Sequence, residues 1–92
     1  MIKYLKFVII IFMQENSLGN FIQQQRKALN SNISLNSFAL DIGIEPATLS
    51  RIENLKQDVK FLTLEKIAKG FNLKTSDFIF KYEEWKKFNH PV

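Results

Sequence analysis

The segment from Leu35 to Asn54, LNSFALDIGIEPATLSRIEN, restricts what this chain can fold into more than any other feature. Ala39 is followed four positions on by Gly43 and six further on by Leu49, and Phe38, Ile42, Ile44 and Ile52 complete an apolar set. That spacing suits two short helices crossing steeply around a tight turn. Ala39 is small enough to let the second helix approach the first. Gly43 can take the positive φ that ends the first helix without a steric cost. Leu49 and Ile52, three apart, share the face that locks the second helix down. Ala47, Thr48, Ser50, Arg51 and Asn54 are left facing outward. They are small or polar, the kind of face that fits a nucleic-acid groove.

Around this segment the chain reads as helices. The first is expected from about Ser17 to Leu29, with Ser17 as N-cap and Leu18, Phe21, Ile22, Gln25 and Leu29 on its inner face. Asn30, Ser31 and Asn32 end it. Ser34 caps the second helix, whose stripe is Leu35, Phe38, Ala39 and Ile42. Pro46 suits the first turn of the third. FLTLEKIAKGF forms the fourth, with Leu64, Ile67, Ala68 and Phe71 inward. The fifth begins near Thr75 or Ser76 and carries Phe78, Ile79, Tyr82 and Trp85. The expected class is all-α.

Composition removes several functions. Ninety-two residues make one small domain, and 46% apolar content supports a core. The absence of cysteine excludes disulfides, thiol chemistry and thiolate metal sites. The lone histidine, His90, lies in a polar tail, and the three glycines form no phosphate loop. No catalytic residue, metal or cofactor is expected, and the chain is not read as an enzyme. The net charge of +4 suits a polyanionic partner only mildly. Lys3 and Lys6 leave 11 basic and 9 acidic residues for the rest, so the placement of charge has to matter more than its total.

Residues 1–13, MIKYLKFVIIIFM, stand apart. The apolar run from Phe7 to Met13 is far shorter than the ~20 residues a membrane helix needs. As a secretory leader it has a short core and no small-residue cleavage site. It is β-branched and aromatic enough for a strand that pairs at an oligomer edge. It also reads as a poorly ordered extension, or as translated upstream sequence with Met13 the true start. Residues 18–80 are the expected domain and 81–92 a C-terminal extension.

Four pieces, LGNFIQQQRK, FALDIGI, TLSRIENLK and TLEKIAKGFNLKTSDF, stand in an order and spacing that resemble the phage-repressor-like (Cro/repressor, XRE) helix-turn-helix proteins. The resemblance covers about Leu18 to Ile79. It implies five helices, with the helix-turn-helix at helices 2 and 3 and operator DNA read by the third.

Carried onto this chain, it makes Ala47, Thr48, Ser50 and Arg51 the residues that contact bases. Arg51 would meet guanine O6 and N7 or a phosphate, and Ala47 a thymine methyl; the bland alternative pairs Arg51 with a neighbouring acid. Phosphate contacts fall to Ser34, Asn36, Asn54, Lys56 and Lys60. Ala39, Gly43, Leu49 and Ile52 are the structural set. Arg26 on helix 1 is expected to pair with Glu53, which ties two helices together and keeps Glu53 from repelling DNA.

The chain departs from the family at six positions. Glu45 stands where Ser or Thr usually caps the recognition helix. Leu35 replaces a DNA-contacting glutamine. Pro46 and Ala47 take places where polar readers are common, which shifts some specificity towards DNA shape. Leu55 replaces a glycine, which implies a strained or different turn. Asn32 stands where glycine is common, and asparagine tolerates the left-handed region.

The reading that results is a cytoplasmic, sequence-specific regulator of transcription that binds double-stranded DNA as a homodimer on an inverted repeat, with no membrane role. Dimerisation is expected through helix 5 and the tail, because Ile79, Phe80, Trp85 and Phe88 exceed what one small core can bury. The alternative is an antitoxin-like or adaptor module on the same fold, with a toxin or other protein as partner.

Overall fold

The computed structural model describes residues 18–29 and 32–89. Five helices follow one another among them: α1 over 18–29, α2 Leu35–Asp41, α3 Pro46–Glu53, α4 Phe61–Gly70 and α5 Thr75–Asn89. No strand occurs among the described residues, so the all-α expectation holds. Ser17 as N-cap, Met13, His90 and the whole of residues 1–13 fall outside them.

Each helix starts where its sequence lets it. Ser34 is extended, and its Oγ accepts a 3.0 Å hydrogen bond from the Ser37 N–H, which satisfies one orphan donor of α2. Pro46 takes the first position of α3, where a missing N–H costs nothing. Glu45 precedes it without a side-chain cap bond, leaving its charge at the positive end of the helix.

Helices α2, α3 and α4 end by one device. The N–H two residues past the last turn reaches back to the third carbonyl from the end: Ile44 to Ala39 at 2.9 Å, Lys56 to Arg51 at 2.8 Å and Leu73 to Ala68 at 3.0 Å. The N–H before it bonds Leu40, Ile52 and Lys69 in turn. These are Schellman motifs, which need a left-handed residue at the reversal. Gly43 (φ 77), Leu55 (φ 63) and Asn72 (φ 58) supply it. Gly43 is therefore the turn residue expected, and Leu55 holds the strained form of its turn. The asparagine that takes the left-handed form at a helix end is Asn72, after α4.

The core is Phe21, Ile22, Phe38, Ala39, Ile44, Leu49, Ile52, Ile67, Ala68, Phe78 and Tyr82. Rings link the helices in sequence: Phe38 to Phe71 (centroids 5.0 Å apart), Phe71 to Phe78 (5.5 Å), Phe78 to Phe21 (5.3 Å) and Phe21 to Trp85 (5.5 Å). Such pairs each contribute about 0.5–1.5 kcal/mol beyond the area they bury.

Two expectations about faces are corrected here. Leu29 is half exposed, and the inner face of α1 runs instead from Ile22 to Arg26, whose charge has a buried partner. Trp85 does not belong to an outward surplus. Its ring packs on Phe21, and its Nε1 donates to Gln24 Oε1 at 2.9 Å, so α1 supplies the groove that covers it. Helix α5 passes through residue 80 without a break.

Candidate nucleic-acid interface

The interface is built outward from α3. Leu49, Ile52 and Glu53 face in, Leu49 and Ile52 essentially fully buried, against Ala39 and Ile44 from α2 and its turn. Ala39 has no exposed surface, so the close crossing that a small residue allows is realised. On the other side Ala47, Arg51 and Asn54 are exposed, and Thr48 and Ser50 are half-buried.

Arg51 is the cation that α3 itself puts on that face, among the described residues. Its Nε donates to Gln57 Oε1 at 2.7 Å and its Nη2 to Thr48 Oγ1 at 3.4 Å. The neighbour that holds it is a neutral amide from the segment after α3, not the acid considered from sequence. Gln57 was not singled out in the sequence: it falls in no helix, and only the reversal at Leu55 returns it to α3. Asn54 turns its Nδ2 back onto Ser50 O at 2.8 Å, with Ser50 Oγ at 3.3 Å.

The phosphate candidates are placed as follows. Ser34 Oγ is occupied at the start of α2, accepting from Ser37 N–H and lying 3.0 Å from Ser37 Oγ. Asn36 is exposed in the first turn of α2. Lys56 and Lys60 are exposed after α3 and before α4, and neither is in an ion pair among the described residues. Leu35 is half-buried against the core, so it replaces a polar contact with packing.

Beneath this face lies the expected ion pair. Arg26 Nε and Nη2 donate to Glu53 Oε2 and Oε1 at 2.7 and 2.9 Å, with Arg26 at 7% and Glu53 at 3% exposure. The hydrogen bonds to Glu53 raise the Arg26 pKa above its ordinary value despite the opposing effect of burial. A planar fork meeting a carboxylate with two bonds fixes both distance and angle between α1 and α3. It also neutralises the one acid buried on the inner side of α3 among the described residues.

A link not evident in the sequence comes from α4: Lys66 Nζ donates to the Gly43 carbonyl oxygen at 3.3 Å, bracing the turn between α2 and α3. Among the described residues no group of three His, Asp or Glu side chains is placed to hold a metal ion. No helix among them is long and apolar enough to cross a membrane.

The protein-family model described as Helix-turn-helix matches residues 22–78, more than half of the chain. The "Uncharacterized HTH-type transcriptional regulator YvzC" of Bacillus subtilis (strain 168) is 42% identical over 52 residues, which span 56% of this chain and 68% of that protein. No solved structure matches.

Proposed function

The chain belongs to the XRE-type helix-turn-helix family of DNA-binding proteins, and on that premise we propose that it is a sequence-specific regulator of transcription, acting as a homodimer on an inverted-repeat operator. One observation carries the reading. The outward face of α3 joins Ala47, Thr48, Ser50 and an exposed Arg51, while Glu53 on the buried side of the same helix is neutralised by Arg26. In this reading α3 enters the major groove, where Arg51 meets a guanine and Ala47 a thymine methyl. Ser34, Asn36, Asn54, Lys56 and Lys60 hold phosphates and set register. The work is binding, without catalysis, and DNA as partner puts it in the cytoplasm.

A homodimer is supported by α5. Phe80 is 65% exposed on its solvent side, with Ile79 at 37% and Phe88 at 87% on the margins. Two copies joined there would present two α3 helices to successive major grooves, about 34 Å apart. That sharing suits a reading helix with so few polar groups.

The rival is a protein-binding module of the antitoxin or adaptor kind. It draws on the exposed Glu45 carboxylate at the front of α3, which faces a phosphate badly.

Selection from a random duplex library with purified protein tests the proposal. The expected product is an inverted repeat. Lys56→Ala and Lys60→Ala should weaken binding to every sequence alike, each lowering the slope of log affinity against log salt by about 1. A library that emerges unenriched at low and at moderate salt would favour the rival.

A further inference from the structure

Gln57 lies between α3 and α4, outside the helix-turn-helix, and is half-buried. The left-handed turn at Leu55, sealed by the bond from Lys56 N–H to Arg51 O, folds the chain back so that Gln57 arrives beside Arg51. There Gln57 Oε1 accepts the 2.7 Å bond from Arg51 Nε. Guanidinium nitrogens only donate, so the carboxamide presents its oxygen to Arg51 and turns its Nε2 group away. Thr48 Oγ1 takes the longer contact from Nη2, at 3.4 Å.

Nε and Nη2 share one edge of the guanidinium plane. With that edge held by the protein, the edge left for a ligand is the Nη1–Nη2 end, two N–H bonds pointing the same way. Guanine O6 and N7 are the pair of major-groove acceptors that such a fork matches. An arginine without this support samples many rotamers, and ordering it at the moment of binding weakens the contact it then makes.

The geometry points to Gln57 as a specificity-determining positioning residue: it holds Arg51 by Nε so that the Nη1–Nη2 end meets one guanine, and it sharpens discrimination at that base pair without touching the base. This rests on the reading of α3 as the helix in the major groove.

Binding of the wild type, Gln57→Ala, Gln57→Glu and Arg51→Ala decides it. The probes are the duplex that the wild-type protein enriches from a random library and derivatives with each guanine changed in turn to adenine, all at one salt concentration. Gln57→Ala should keep its melting temperature and lose about threefold to tenfold of the preference at one guanine, the same one at which Arg51→Ala loses preference. Gln57→Glu keeps an acceptor at the same reach. It should retain that preference while binding every duplex more weakly, because of its charge.

Wild-type preference in Gln57→Ala, beside its loss in Arg51→Ala, overturns the positioning role and leaves the reading of α3 standing. Wild-type preference in Arg51→Ala overturns that reading, and the role of Gln57 with it. Nitrogen-15 relaxation at Arg51 Nε gives a readout without DNA: ordered in the wild type and Gln57→Glu, mobile in Gln57→Ala. An Arg51 Nε as mobile in the wild type as in Gln57→Ala also overturns the proposal.

Discussion

Arg26 and Glu53 are 27 positions apart in sequence and bond at 2.7 and 2.9 Å in the fold. Both are buried, so the attraction between them has to offset the removal of two charges from water. The pair is therefore worth little against an apolar substitute, yet costly to break. Arg26→Met should lower stability by about 3–5 kcal/mol, because it strands a buried carboxylate. Arg26→Met combined with Glu53→Leu should recover most of that loss, and chemical denaturation of the two variants measures it. A double variant as unstable as the single would show that the pair's hydrogen bonds outweigh its desolvation. Gly43 makes the opposite kind of contribution. A Cβ there meets no atom within 4 Å, so only its φ of 77 resists substitution. Gly43→Val should cost about 1–3 kcal/mol, while Gly43→Asn, which tolerates the left-handed region, should cost clearly less. Equal melting temperatures for Gly43→Val and wild type would remove Gly43 from the turn.

At the level of elements, the way α1 meets α3 depends on a second glycine. A Cβ at Gly19 would collide with the Ile52 carbonyl oxygen and come within 2.9 Å of Leu55 Cδ2. Inside a helix, glycine to alanine ordinarily stabilises by about 0.5–1 kcal/mol. Here the sign should reverse, and Gly19→Ala should destabilise by about 1–3 kcal/mol as α1 is pushed off the end of α3. A thermal melt at or above that of the wild type would contradict this close approach. The contrast between the two glycines shows what a sequence can carry. Gly43 is legible because its role is local: an apolar stripe ends, a glycine follows, and a new stripe begins. Gly19 reads only as a weak helix residue, since its neighbours, Ile52 of α3 and Leu55 in the turn after it, lie more than thirty positions away. The same holds for Gln57, whose partner is set by the turn at Leu55, and for Trp85. The helical spacing of α5 could rank Trp85 as surplus, but not reveal the cover that Phe21 and Gln24 give it from α1. Arg26–Glu53 was legible through the family resemblance, not through periodicity.

For the whole molecule, the polar row on α3 contrasts in chemistry with a second surface, the apolar Ile79, Phe80 and Phe88 exposed on α5. If the second joins two copies, Phe80→Glu with Phe88→Glu should give a folded monomer by sedimentation, with its melting transition retained and its affinity for the enriched duplex much reduced. Trp85 is unsuitable for that test because its loss would open the core. A wild-type chain that is monomeric at micromolar concentration would remove the dimer while leaving α3 as the reader. The claim on which the rest depends is that DNA meets the α3 face, and amide chemical-shift mapping during titration with the enriched duplex tests it most directly. The account predicts perturbation concentrated at 46–51, at 34–37 and from Asn54 to Lys60, with the solvent side of α5 unmoved. Perturbation confined to α5, with residues 46–51 unshifted at saturation, would contradict it.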